Sequence, residues 1–279
     1  MNLAVRSALF AFFCLLPCAQ CCVNEFQPTQ VAQSFGEFIG RFRPHSQKNP
    51  GPSVGLGMAL IRVVDNPPKA DWESRAAQLR AVLSAREASE TKQGGLQKTD
   101  AFTIRADLAA ALLHLGRTRE AIQILEPLAK EHPWEYRLIA TLGTAYELDG
   151  QLNRALEYIS RGIELNAQSH EGTEWLHSRI LKAKLEIAKN PKWLNAHSVL
   201  GYDFGDPPRF PPEFRTDDHV ARVLKAIGYQ LNERLQFVLG TDPIVADLLN
   251  DASHIFEAAG KRDVAQKLSA RAASFKPKE

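Results

Sequence analysis

The feature that most constrains this chain is a period of 34 residues. Gly116 recurs as Gly150, Ala121 as Ala155 and Leu108 as Leu142, so segments 102–135 and 136–169 read as two copies of one unit. A period of this length means that each copy is too small to bury its own apolar face, and neighbouring copies must stack to make a core. Within each copy the apolar residues fall at helical spacing on either side of the glycine, which predicts two helices and a reversal. Glycine suits the reversal because it adopts a left-handed backbone without strain, and Pro133 ends the second helix of the first copy. Small residues at 121 and 155 fit the place where two antiparallel helices touch.

In the second copy, Leu142, Gly143 and Tyr146 are followed by Gly150, Ala155 and Ile159, and Ile139 stands where a Trp is usual; the set resembles the tetratricopeptide repeat. The first copy keeps Leu108, Ala109, Leu112, Gly116, Ala121, Leu125 and Pro133. A TPR-like unit at 246–279 has Ala252, Ser253, Phe256, Gly260, Ala265, Ala272 and Pro277 at the signature positions. Pro243 lies one period before Pro277, so the helix containing Leu231, Leu235 and Val238 reads as half of a degenerate unit. The resemblance implies an all-α, TPR-type helix-turn-helix solenoid whose first helices line a concave groove. It also implies a non-enzymatic scaffold that binds a partner protein or peptide there, with no cofactor. The groove-facing residues it implies are Asp107, His114, Arg137, Thr141, Thr144 and Glu147. The family's carboxylate clamp would need Lys at Ala106 and Asn at Ala110 and Thr141, so that specificity is not implied.

Around the repeats the organisation is uneven. Residues 1–22 hold Arg6, an apolar run over 8–16, and all four cysteines, Cys14, Cys18, Cys21 and Cys22, which reads as a secretory signal. The run is shorter than the roughly 20 residues a membrane-spanning helix needs. Ala19-Gln20-Cys21 before Cys22 suits signal peptidase and also resembles a lipoprotein box, so lipidation of Cys21 or Cys22 would be the one membrane attachment. With at most one cysteine remaining, the mature chain is expected to fold without disulfides. No Asn-x-Ser/Thr acceptor occurs, which favours a bacterial envelope: periplasmic or membrane-tethered, with secretion as the alternative.

Residues 23–69 are rich in Pro and Gly and read as an irregular N-terminal arm, in which the run Met58–Val64 is expected as a strand or extended segment. Residues 70–101 read as a leading helix and linker, with Trp72, Ala76, Leu79, Val82 and Leu83 on its apolar side. Segment 170–203 reads as a long helix from His170 to Lys189 and a non-repeat stretch, because Lys184 stands where the turn glycine should be. A Pro-rich insertion at 204–215 and the C-terminal helices of 216–279 complete the chain. The charge balance is 34 basic against 32 acidic residues, +2, without the lopsided count of a nucleic-acid binder, and no nucleic-acid partner is expected.

Three further patterns bear on chemistry. Gly51-Pro52-Ser53-Val54-Gly55 has the spacing of a nucleophile elbow, but a polar run precedes it and no helix is expected directly after it, so it reads as a turn. His170, Glu174 and His177 at i, i+4 and i+7 share one helical face and carry an alternative reading, a metal-dependent protein or enzyme, in which His197, Asp203 and Asp206 would converge from the Pro-rich segment. Trp134, Trp175 and Trp193 read as packing residues.

The register has a direct test. Ala155→Leu should overpack the contact between the helices of its unit and cost about 1–3 kcal/mol, read as a lower melting temperature. A melting temperature equal to wild type would refute the register. By the same reading Arg137 and Glu147 are expected to face solvent, where substitution costs little stability.

Overall fold

The computed structural model describes residues 52–65, 71–93, 98–214, 216–238 and 240–276. The segment 1–22 expected as a secretory signal, with all four cysteines, most of the expected N-terminal arm, Gly51 and Pro277 lie outside them. All regular structure among the described residues is helical: α1 (Val54–Asp65), α2 (Trp72–Gln93), α3 (Lys98–His114), α4 (Thr118–Glu131), α5 (Tyr136–Leu148), α6 (Leu152–Leu165), α7 (Glu174–Lys189), α8 (Asp217–Arg234), α9 (Pro243–Ala258) and α10 (Arg262–Ala273). From α2 onward consecutive helices pack on one another, while α1 packs on α8 and α10, and the protein is an all-α helical solenoid.

Three helix pairs share one turn. Gly116, Gly150 and Gly260 have φ of 70°, 80° and 72°. After each, the next residue's N–H reaches back to a carbonyl five positions earlier: Arg117 to Leu112 at 2.9 Å, Gln151 to Tyr146 at 2.8 Å, and Lys261 to Phe256 at 2.8 Å. This pairing satisfies carbonyls left open at a helix end and needs a left-handed residue, which is why glycine stands at all three turns. The small residues mark the closest approach. Ala121, Ala155 and Ala265 are buried, and a Cβ on Gly143 would lie 2.8 Å from Ile159 Cδ1. In the α9–α10 pair Ser253 occupies that place, and its hydroxyl donates to the Ala265 carbonyl at 2.8 Å.

The apolar side chains form two large cores and a small cluster of Tyr136 and Ala140. One joins α2 through α6; the other joins α1, the segment 199–214 and α8 through α10. Helix α7 belongs to both, with Leu181 in the first and Leu176, Ile180 and Ala183 in the second. It therefore couples the repeat pairs to the C-terminal helices.

Several expectations are corrected. Met58–Val64 is neither strand nor extended but part of α1, with Leu56, Leu60, Val63 and Val64 buried at helical spacing. Helix is possible there because Gly57 admits α10 and α9: a Cβ would meet Val264 Cγ1 at 2.2 Å and Phe256 Cζ at 3.0 Å. Ser53 does lead directly into a helix, and its hydroxyl accepts the Leu56 N–H at 3.2 Å, a capping role. His170 is not in a long helix; α7 begins at Glu174, after a 3-10 turn over Ser169–Gly172. Val82 is exposed, and so is Trp134, at 79%, so neither is a packing residue.

The segment before α8 packs on the C-terminal helices rather than in the groove. Tyr202, Phe204 and Phe210 gather around Phe214, with ring centroids 4.8–6.0 Å from it. Its attachment to α9 runs through two carboxylates one turn apart. Asp247 accepts the Val199 N–H at 2.7 Å, and Asp251 accepts from Leu200 and Ser198. Burial raises both carboxyls, Asp247 to about 6 and Asp251 well above the ordinary range, the latter also by its proximity to Asp247. A carboxyl whose folded value lies above its unfolded value of 3.8 holds its proton longer in the fold, so stability is full at low pH and declines as pH rises from about 4 through 6. Asp251→Asn removes one of these titrations. Urea midpoints of that variant should depend less steeply on pH between 4 and 7 than those of wild type, and parallel curves would contradict the buried-carboxylate account.

Candidate functional site in the groove

The site begins with Glu147, in the last turn of α5 and three positions before the turn glycine Gly150. Its Oε1 accepts from Lys184 Nζ of α7 and from Arg234 Nη2 at the end of α8, both at 2.7 Å. Its Oε2 lies 2.6 Å from His177 Nε2. Glu147 is only 8% exposed. Burial alone would raise its carboxyl, but Arg234, Lys184 and His177 outweigh that and hold it well below the ordinary range. Burial would likewise lower the His177 imidazole, yet Glu147 and Glu174 raise it to about 9. His177 is therefore a cation at neutral pH.

The second part of the site sits beside the first. Glu174, the first residue of α7, places Oε2 3.4 Å from His177 Nδ1 and Oε1 in close contact with His170 Nδ1. The other ring nitrogen of His170 is 3.3 Å from Glu233 Oε1, on α8. Burial raises Glu174, but His170 and His177 lower it further than burial lifts it. Glu233 is raised, first by burial and then by the nearby Glu174.

The local fold that holds His170 is unusual. His170 and Glu171 have φ of 47° and 54°, in the left-handed region that side chains other than glycine seldom occupy, and Gly172 follows at 74°. Thr173 stabilises the turn by donating its hydroxyl to the His170 carbonyl at 2.7 Å. Glu171 is tied across to α8 by Lys225 and by the Tyr229 hydroxyl at 3.1 Å. Left-handed backbone of this kind costs on the order of 1–3 kcal/mol per residue and persists where surrounding contacts impose it.

These charges line a cavity of about 130 Å³ between α5, α7 and α8. Thr144, Leu148, Phe237 and Val238 form its less polar wall, and Gln230 faces it from α8. The residues after α8 thus contribute to the wall of this cavity. Asp242 accepts from Ile244 and Val245 to cap α9 and lies 3.9 Å from Arg234 Nη1.

The six groove residues read from sequence fall as follows. Thr144 and Glu147 line the cavity. Asp107 is buried in ion contact with Arg137 and lies 3.9 Å from Arg75 of α2. His114 stacks on Trp72 at 3.8 Å and on Phe237 at 4.6 Å, and Thr141 is buried. Glu147 does not face solvent, and Arg137 is mostly covered, because α2 and the end of α8 lie across the groove. The expected convergence of His197, Asp203 and Asp206 is also corrected. His197 stacks on Trp193, Asp203 accepts the Gly205 N–H, and none of the three lines the cavity. The residues that do join His170 and Glu174 are Glu147, Lys184, Glu233 and Arg234. Sequence gave no spacing rule for Arg234, which lies 87 positions from Glu147.

Comparison with protein families adds one finding. Residues 72–183 match the bacterial transcriptional activator domain. That family has a TPR-like helical fold, and the matched stretch runs from the first residue of α2 into α7, less than half of the chain. Among curated proteins, none matches. The matched domain supplies Glu147, His170, Glu174 and His177, whereas Lys184, Glu233 and Arg234 come from beyond it. No described helix is long and apolar enough to cross a membrane.

Proposed function

We propose that this protein is a non-enzymatic interaction module in which a TPR-like solenoid presents a groove, narrowed by the chain's own C-terminal helices, to one partner protein or peptide. The observation that carries this reading is the cavity mouth. There Leu148, 37% exposed, stands with Thr144, Phe237 and Val238 beside a charge network already balanced internally. Such a mouth favours a segment with an apolar anchor over a highly charged ligand, because the nearby cations are bound to Glu147 and have little to offer a phosphate. The near-zero net charge supports a protein partner over nucleic acid in the same way.

The match over residues 72–183 supports a regulatory role, since its family is named for transcriptional activators. Its leader supports a place outside the cytoplasm, periplasmic or held to the membrane through Cys21 or Cys22. In this reading a TPR-like regulatory domain has been put to work in the envelope.

One experiment tests both parts. Full-length protein expressed in bacteria is fractionated, crosslinked mildly and captured, in parallel with a Thr144→Arg/Leu148→Asp variant that alters the mouth at a partly exposed and an exposed position. The expected result is processed protein in the envelope fraction and a partner recovered at least about tenfold less with the variant. Equal recovery with both proteins would overturn the groove assignment, and unprocessed protein confined to the cytosol would overturn the location.

A further inference from the structure

The inner wall of the cavity brings together one imidazole and two carboxylates from separate parts of the fold. Single ligand atoms of His170, Glu174 and Glu233 all lie within 4.8 Å of one another. His170 and Glu174 are buried, and Glu233 is largely covered. We propose that these three side chains bind one divalent transition-metal ion of the zinc or manganese class, which ties α8 to the turn before α7. This inference does not depend on the partner-binding reading above.

The distribution of charge supports a cation here. Three cationic groups, Arg234, Lys184 and His177, converge on the single carboxylate of Glu147 at 2.6–2.7 Å. Glu174 and Glu233 have no such concentration. Glu233 has one ion contact within 4 Å among the described residues, His170 Nε2 at 3.3 Å, and Glu174 shares His170 and meets His177 at 3.4 Å. Two carboxylates, Glu174 buried and Glu233 largely covered, face one imidazole, and buried charges are stable when paired or metal-bound. The donor set decides the class of ion. One nitrogen and two oxygens suit Zn²⁺ or Mn²⁺, whereas Mg²⁺ and Ca²⁺ prefer all-oxygen shells.

Two further observations fit an ion. Gln230 is buried, lines the same cavity, and its Nε2 has no hydrogen-bond partner. A buried amide N–H without a partner is costly, and a water or ligand oxygen completing the metal's shell would accept from it. Outside the ligand set, His177 holds Oε2 of Glu174 and leaves Oε1 directed toward His170, the orienting role that second partners of metal ligands perform. The left-handed backbone at His170 and Glu171 then has a use: it turns the imidazole back toward α8.

The site differs from the trio read from sequence. His177 is engaged by Glu147 and Glu174, and its place is taken by Glu233, which no helical spacing links to His170.

The test uses the full chain stripped with chelator and titrated with ZnCl₂ and with MnCl₂ by calorimetry, alongside melting curves with Zn²⁺, Mn²⁺ or Mg²⁺. Wild type should bind one ion per chain and melt several degrees higher with Zn²⁺ or Mn²⁺ than with Mg²⁺. Glu233→Gln and His170→Ala should bind at least about tenfold more weakly, since even a partner outside the ligand set commonly costs that much. Glu186→Gln, on the exposed side of α7 and outside the trio, should bind as wild type. Sub-stoichiometric binding by wild type with no melting shift would overturn the proposal, as would unchanged affinity in Glu233→Gln. If His170→Ala does not fold, the wild-type stoichiometry and the Glu233→Gln titration decide the question.

Discussion

A single buried carboxylate, that of Glu147, ties the repeat helix α5 to α7 and α8. It draws Lys184 from α7, His177 from α7 and Arg234 from α8 to one point near the end of α5. Burying a carboxylate is strongly unfavourable without compensation, and removing a partner from such a set leaves an unpaired charge inside. The network therefore specifies where α8 must end. From that endpoint follow the stacking of Phe237 on His114, the capping of α9 by Asp242, and the narrowing of the groove.

Which parts were legible in the sequence follows from the range of the interactions. Repeat turns are local: Gly116, Gly150 and Gly260 each answer to the backbone within five residues, so a period of 34 was enough to place them. The small residues at 121, 155 and 265 answer to the neighbouring helix and were equally readable. By contrast, α1 was obscured by Gly55 and Gly57, which as local signals weaken helix. Only contact with Val264 and Phe256, about 200 positions away, explains why Gly57 is needed. The site was half readable for the same reason. His170, Glu174 and Glu147 were singled out by helical spacing or repeat position, but their partners Glu233 and Arg234 come from a helix whose docking no local pattern encodes. Even the reason for grouping His170 with His177 was displaced. The shared face was inferred for a continuous helix, whereas a left-handed turn brings His170 to Glu174.

The match to the bacterial transcriptional activator domain ends in α7, the helix that belongs to both cores. The C-terminal helices thus share a core helix with the matched stretch. Their ionic contribution, Arg234 and Glu233, enters the concave side on which TPR-like folds present binding surfaces. The groove of this protein is therefore partly self-occupied, and under the proposed function a partner would meet the cavity around Thr144 and Leu148. Asp107 and Arg137, which the resemblance places in the open groove, serve instead to fasten α2 across it.

The central claim, that the ion network at Glu147 docks the C-terminal helices on the repeat pairs, is tested most directly by a double-mutant cycle. Unfolding free energies would be measured for wild type, Glu147→Gln, Arg234→Gln and the double variant. The account predicts that each single change costs about 3–5 kcal/mol, because it strands a buried partner, and that the double variant costs less than the two together by more than about 1 kcal/mol. Additive costs within about 0.5 kcal/mol would show that the two side chains stabilise the fold independently and would contradict the account.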